Sequence, residues 1–282
     1  MPALGYGVCW VLPFPTGPAI TVAMRIATWN VNSVNARLPT VLEVLAACAA
    51  DVWCLQEIKC VDEKFPRAEL EALGFNCAVF GQKTYNGVAI LSKFPLSDEI
   101  RHLPGEAEDE QSRYLEVLAE APRPMRVATV YLPNGNPRPG PKYDYKLRWM
   151  DRLNARAKEL LAFEEPVVLA GDFNCIPRDE DCWDPKAWRD DALAWPETRD
   201  RFRQLQWMGY TDAFMACDAR IQKYTFWDYQ AGAWQKDWGI RIDHLMCSPQ
   251  AADRLKSTAI HRMARAMEKP SDHVPVLATF AD

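Results

Sequence analysis

The chain has 282 residues, enough for one large domain or two small ones, and 49% are hydrophobic against 25% charged, the balance of a globule with a sizeable core. Its formal net charge of −5 excludes a general affinity for polyanions while leaving room for a local basic face. No apolar run approaches the ~20 residues of a bilayer-spanning helix, so no membrane partner is expected.

The first 23 residues, "MPALGYGVCWVLPFPTGPAITVA", are rich in Pro and Gly and carry no charge. They lack the basic start of a secretory signal. They are expected to form an extension outside the core, with residues 24–282 as a single domain. From Met24, "MRIATWNVNS" reads as a first core strand ending in polar residues, and "PTVLEVLAACAA" as an amphipathic helix with Pro39 near its start. "DVWCLQE" is a short buried strand ending on Glu57, and helix-like "EKFPRAELEALG" stops at Gly74. "FNCAVFGQ", "GVAILSK", "RYLEVLAE" and "MRVATVYLPN" read as successive strands, several close enough to pair antiparallel. A long helix, "YDYKLRWMDRLNARAKELLAF", precedes the buried strand "PVVLAGDFN". A Trp-bearing stretch from Arg178 to Gln206 reads as a helical excursion around loops, and "YTDAF", "KYTFWDY", "IRIDHLMCS" and "VPVLATF" complete the set. Many strands with few long helices predict two sheets packed face to face, helices outside.

Nine cysteines, an odd number without any Cys-x-x-Cys pair, lie mostly in apolar contexts such as "HLMCSP". They read as small buried hydrophobes of a reducing compartment, and a cytoplasmic protein is expected.

The informative feature is where polar side chains interrupt apolar strands. Asn30 and Asn32 follow "IATW"; Glu57 follows "VWCLQ"; Tyr131 and Asn134 follow "VATV"; Asp172 and Asn174 follow "VVLAG"; Asp243 follows "GIRI". Asp272 and His273 stand side by side in "EKPSDHVP". Each has an ordinary alternative: Glu57 as partner of Lys59, Gly171–Asn174 as a plain turn, Tyr131 as a core tyrosine, Asp243 as partner of Arg241 or Arg37. If the strand ends converge, carboxylates, amides, a phenol and an imidazole share one pocket. Such a cluster is costly unless a cation balances it. Oxygen ligands without thiolates suit Mg²⁺, with Mn²⁺ as a substitute, and that choice suits phosphate chemistry. Asp243 is the carboxylate expected to fix the tautomer of His273.

In this order and at these separations, "TWNVNS", "LQEIK", "YNGVAIL", "VYLPNG", "GDFN", "RIDHL" and "EKPSDHVPV" resemble the exonuclease III family of Mg²⁺-dependent DNA-repair nucleases. The wider superfamily also holds pancreatic deoxyribonuclease-like enzymes and phosphoinositide phosphatases. The likeness runs from about Met24 to Phe280. It implies an α/β fold, a four-layered α/β sandwich of two packed mixed β-sheets flanked by helices. It also implies Glu57 as metal ligand with Asn30 beside it and Asp272 near the metal. Asp172 would orient or deprotonate the attacking water, Asn174 would hold the scissile phosphate, and Tyr131 would meet that phosphate or the leaving oxygen. His273, paired to Asp243, would donate to a phosphoryl oxygen. Asn32 stands where some relatives carry an acid and is a weaker candidate; His244 is read as a packing partner.

Arg113, Asn134 and Lys146 are candidate substrate contacts, and Phe226 or Trp227 is expected to meet the lesion. A basic face is expected from Arg138, Lys142, Lys146, Arg148, Arg152 and Arg156, with "HRMARAMEK" as a second candidate. The expected protein is a monomeric nuclease that cuts duplex DNA 5′ to abasic sites and trims or cleans 3′ ends. The alternative is a phosphatase of a phosphoinositide or other small phosphate ester.

Overall fold

The computed structural model describes residues 23–218 and 220–281; the expected N-terminal extension, apart from Ala23, lies outside the described residues. The chain runs β1 (Met24–Asn30), α1 (Leu38–Cys48), β2 (Val52–Gln56), α2 (Arg67–Glu71), β3 (Asn76–Phe80), β4 (Val88–Ser92) and β5 (Leu96–Arg101). It continues with β6 (Tyr114–Ala119), β7 (Met125–Tyr131), α3 (Pro141–Leu161), β8 (Val167–Asp172), α4 (Pro185–Trp188) and α5 (Pro196–Met208). The last elements are β9 (Thr211–Asp212), α6 (Ala213–Cys217), β10 (Asp243–Cys247), α7 (Pro249–Ala252), β11 (Leu255–Ile260) and β12 (Val276–Phe280).

Two six-stranded sheets form, in the orders β11-β12-β1-β2-β4-β3 and β5-β6-β7-β8-β10-β9. Each has one parallel pair at its centre, β1 with β2 and β7 with β8, and every other pairing is antiparallel. A helix crosses between the parallel partners in both sheets, α1 in one and α3 in the other, as a parallel connection requires. The four-layered α/β sandwich expected from the sequence is the observed fold.

Side-chain alternation explains the layers. Ile26, Val52, Cys54, Val127, Val168, Ala170 and Leu245 face inward and fill the space between the sheets. Their neighbours Ala27, Trp29, Trp53 and Leu55 face α1, and Ala128, Val130, Leu169 and Met246 face α3 and α5. Fully burying the Val, Leu, Ile and Met side chains among them stabilises the fold by about 1.5–3 kcal/mol each. Following the inward face toward one end, the apolar residues give way to Thr28, Gln56 and Thr129. There the Gln56 amide donates to Thr28 Oγ1 (3.1 Å), Cys54 O (2.9 Å) and Thr129 Oγ1 (2.9 Å). Every donor of that buried amide is used, so the layer escapes the cost of an unpaired polar group. One step further along the same face come Asn30, Tyr131, Asp172 and Asp243. Gly171 lets β7 and β8 approach: a Cβ there would stand 1.8 Å from Val130 O.

The structure departs from the sequence reading at four strands, one of them "YTDAF", where only Thr211–Asp212 pair as β9 before α6 begins at Ala213. β5 and β11 are edge strands with mixed burial and a register shift in each pairing, so they lack a clean alternation. "KYTFWDY" is no strand; its Phe226 makes only isolated bridges to Ile240 and His273.

Candidate active site

The polar ends of β1, β2, β7, β8 and β10 and the turn before β12 meet at one end of the sandwich. Asn30 donates its amide to Glu57 Oε1 (2.9 Å) and to Asp172 Oδ2 (3.0 Å), joining the sheets across the interface. Tyr131 donates its hydroxyl to the same Glu57 oxygen (2.8 Å), and Lys59 pairs with the other at 2.7 Å. Lys59 also donates to Asn32 Oδ1 (2.6 Å), while the Asn32 amide donates to Asp272 Oδ1 (3.1 Å). Asp172 accepts from the Asn174 backbone (2.9 Å) and, at a longer 3.3 Å, from the Asn174 side chain. Asn174 in turn donates to Leu132 O (2.9 Å) and accepts from Asn134 (3.2 Å).

His273 is held from three sides. Its Nδ1 meets Asp243 Oδ2 at 2.9 Å, its carbonyl accepts from the Trp29 indole (3.0 Å), and its backbone N–H donates to Ser271 Oγ (3.2 Å). Its Nε2 points to Asp172 at 3.7 Å. Glu57 (φ 52°), Asn32 (φ 45°) and Asn174 (φ 42°) have left-handed backbone. For a glutamate that conformation is strained, and such strain gathers at functional sites.

Burial alone would raise Glu57, but Lys59, Asn30 and His273 outweigh it and hold the carboxyl below its ordinary value. Burial dominates at Asp172, pushing it up to about 7 against the pull of His273. Burial would lower His273, yet Asp243 and Asp172 raise it to about 10. Tyr131 is pushed well above its ordinary value, first by burial and then by Glu57, so its phenol keeps its proton. The site thus holds an imidazolium, a phenol and a carboxyl balanced near neutrality.

Oxygen donors for a hard cation are present in Glu57, Asn30 and Asp272. Two donors share Glu57 Oε1 and one meets Oε2, which leaves a lone pair on Oε2. Glu57 and Asp272 have only Lys59 and neutral groups as hydrogen-bonded partners, an excess of acid that a divalent ion would balance. Asp172, Asp243 and His273 also bring three ligand atoms within 4.8 Å of one another, an acidic metal site by spacing. Because Asp243 already occupies His273 Nδ1, we read that trio as a proton-holding set.

Two cavities flank Glu57 and Tyr131. One, about 310 Å³, is lined by polar Asn134, Asn174, Asp272 and His273 and by apolar Phe226, Ile240, Ile242 and Leu193. The second, about 350 Å³, has Lys59, Tyr85, Gln111 and Arg113 in its wall. The Arg113 guanidinium lies 4.6 Å over the Tyr131 ring and donates to Tyr131 O (3.3 Å).

Other candidates lie elsewhere. Trp227 is enclosed in the core with its N–H on Asp237 (3.0 Å), whereas Phe226 stands edge-on to His273 at 4.9 Å. Lys146 is fully buried, its ammonium on backbone carbonyls. Of the expected basic face, Arg152 is occupied by Glu106 and Asp109, and Arg156 by Glu116 and Glu159; Lys142 and Arg148 remain exposed. In the second basic stretch Arg265 is buried and Arg262 pairs with Asp237. His244 packs between Phe173 and Phe202 and faces Asp212. Asp243 pairs with His273, and Arg241 instead bridges Asp181 (2.9 Å) and Asp212 (2.8 Å). Asn136, Trp188, Asp191, Leu193 and Ile240 line the first cavity without having been singled out. Trp188 ends α4 and the others are isolated residues in loops, and only the "GIRI" run hinted at any of them.

Two facing mixed sheets with acids, amides and an imidazolium gathered at their common end define a class of phosphodiester hydrolase. The model of the Endonuclease/Exonuclease/phosphatase family matches residues 27–273, and the chain belongs to that family. It is 31% identical to the exodeoxyribonuclease III of Haemophilus influenzae over 91% of this chain and 100% of that one. It is 30% identical to the DNA repair nuclease APEX1 of Danio rerio over 92% and 82%. Among solved structures, the 3′ phosphatase NExo from Neisseria, bound to a product DNA hairpin, superposes with a TM-score of 0.87 at 39% identity, covering 91% and 99%. An AP endonuclease from Archaeoglobus fulgidus gives 0.86 at 31% identity over 91% and 99%.

Proposed function

We propose that this protein, a DNA-repair nuclease by its relatives, hydrolyses the phosphodiester 5′ to abasic sites in duplex DNA and removes nucleotides or blocking groups from 3′ ends. The observation that carries the reading is one cavity lined by both hydrogen-bond donors and apolar side chains. Asn134, Asn174 and His273 line it together with Phe226, Ile240 and Ile242, and Phe226 stands edge-on beside His273. A phosphate beside a sugar without its base presents the same pairing of charge and apolar surface.

Asp172, balanced near neutrality, takes the proton of the attacking water. His273, kept charged by Asp243, donates through Nε2 to a phosphoryl oxygen. Asn134 donates beside it, and Asn174 exchanges its long bond to Asp172 for one to the phosphate. Tyr131 keeps its proton and can give it to the leaving oxygen. Each donor contributes ~10²–10³ in rate and the base ~10²–10⁴, so several must act together. Mg²⁺, with Mn²⁺ as substitute, fits Glu57, Asn30 and Asp272, and when bound would neutralise charge developing on the phosphoryl oxygens. Free thiols at all eight described cysteines support a reducing, cytoplasmic setting, and we read the active unit as a monomer.

An end-labelled duplex with one abasic analogue tests this. Cleavage 5′ to the lesion with Mg²⁺ and none with EDTA is expected, with soluble inositol phosphates left intact. Trimming of 3′ ends without incision would remove the abasic half of the reading.

A further inference from the structure

Lys146 enters α3 facing inward and is fully buried. Its ammonium donates to Asn134 O (3.0 Å) and Asn174 O (2.6 Å). These two residues sit on separate loops, one after β7 and one after β8, and their side chains bond each other at 3.2 Å. The first loop is shaped around the lysine. Gly135 has φ +89°, and a Cβ there would stand 2.6 Å from Lys146 Cδ.

A buried ammonium bonded only to carbonyls is a poor choice for stability, since an apolar side chain of similar length fills the same space without desolvating a charge. Its place is explained by what it holds. We propose that Lys146 is a positioning residue, binding the Asn134 and Asn174 loops into one phosphate-holding unit and setting a positive charge beneath it. This rests on the reading that both amides face the scissile phosphate.

The charged and titratable groups facing it are Asp172 at the end of β8, Cys175 beyond it, Asp191 before α5 and Arg113 before β6. Burial lowers Lys146 to about 8, the acids opposing and Arg113 assisting. Cys175, raised by burial to about 12, stays a neutral thiol. Deprotonation above that value would remove the charge beneath the two loops.

The test compares wild type, Lys146→Met and Lys146→Arg on the abasic duplex from neutral to alkaline pH. In Lys146→Met, kcat should fall ~10²-fold with KM changed less than ~3-fold. The wild-type decline of kcat near pH 8 should vanish in Lys146→Met and move higher in Lys146→Arg. Side-chain amide resonances of Asn134 and Asn174, followed without substrate, should titrate near pH 8 in wild type and not in Lys146→Met. Unchanged kcat in Lys146→Met, the same alkaline decline in all three proteins, or Asn134 and Asn174 amide resonances identical in wild type and Lys146→Met would each overturn the proposal. If wild type leaves the abasic duplex whole while the amides titrate, the substrate reading fails and the lysine's positioning role stands.

Discussion

Two buried acids show what separates a structural carboxylate from a reactive one. Glu116 on β6 is fully buried and saturated by cations: Arg156 reaches both its oxygens (2.8 and 3.0 Å), Arg126 adds a third contact (3.3 Å), and Tyr114 donates at 2.6 Å. Asp172 on β8 is buried almost as deeply, but its hydrogen-bonded partners are neutral: the Asn30 and Asn174 amides and one backbone N–H. The nearest cationic atom, His273 Nε2, stands 3.7 Å away and its imidazolium is already bonded to Asp243. A guanidinium-saturated acid has nothing left to exchange. One resting on amides keeps a proton within reach of neutral pH.

Asp172→Asn tests that contrast most strongly. Turnover should fall ~10³-fold while the abasic duplex still binds. Stability should move the other way. Burial raises the Asp172 carboxyl in the folded chain above its unfolded ~3.9, so over the window between the two the folded state binds more protons. Stability therefore falls as pH rises through that window, and above it the ionised acid is a burden. The Asn variant should melt higher than wild type at pH 8, and equal or lower melting with full activity would break the comparison. Glu116→Ala should do the reverse, removing the one fully buried acid that Arg126 and Arg156 share and leaving them only the exposed carboxylates of Asp98, Glu165 and Glu159. The expected loss is about 3–5 kcal/mol, a fall in Tm on the order of 10 °C, with kcat/KM of the folded enzyme at 25 °C within ~3-fold of wild type.

The same contrast explains what the sequence made legible. Strand ends betray themselves because alternation is strict: Ile26, Thr28 and Asn30, or Val168, Ala170 and Asp172, share one face, so a polar residue at the end of an apolar series must enter the interior at one edge. That rule requires no knowledge of helix orientation. The α3 arginines do require it. Arg152 and Arg156 looked like part of a nucleic-acid face because counting cations along a helix does not reveal which side is buried or which acids wait there. The apolar wall was equally hidden, since Leu193 and Ile240 are single residues in loops with no period around them. Edge strands β5 and β11 were missed because half-exposed strands have no buried face to impose alternation.

Glu57→Gln keeps the bonds from Asn30 and Tyr131 near their present geometry but removes the charge that pairs with Lys59 and, in the proposed reading, holds a divalent ion. Half-saturating Mg²⁺ should rise ~10-fold or more with little change in Tm, and an unchanged metal titration would take Glu57 out of the metal site.

The smallest expected effect separates two neighbours. Phe226 and Trp227 are adjacent in sequence, yet one lines the cavity beside His273 and the other is sealed in the core. Phe226→Ala should leave Tm nearly unchanged and reduce the preference for abasic over intact duplex ~10-fold, the scale of an apolar contact in a binding pocket. Trp227→Ala should instead cost about 3–5 kcal/mol of stability. Its preference should change little at temperatures where it stays folded, because Trp227 meets the site through its backbone N–H, donated to Asp272 O (2.9 Å), which alanine retains. Equal loss of preference in both variants would mean that the wall acts as one packed unit, and that the boundary between scaffold and site lies deeper than the cavity surface.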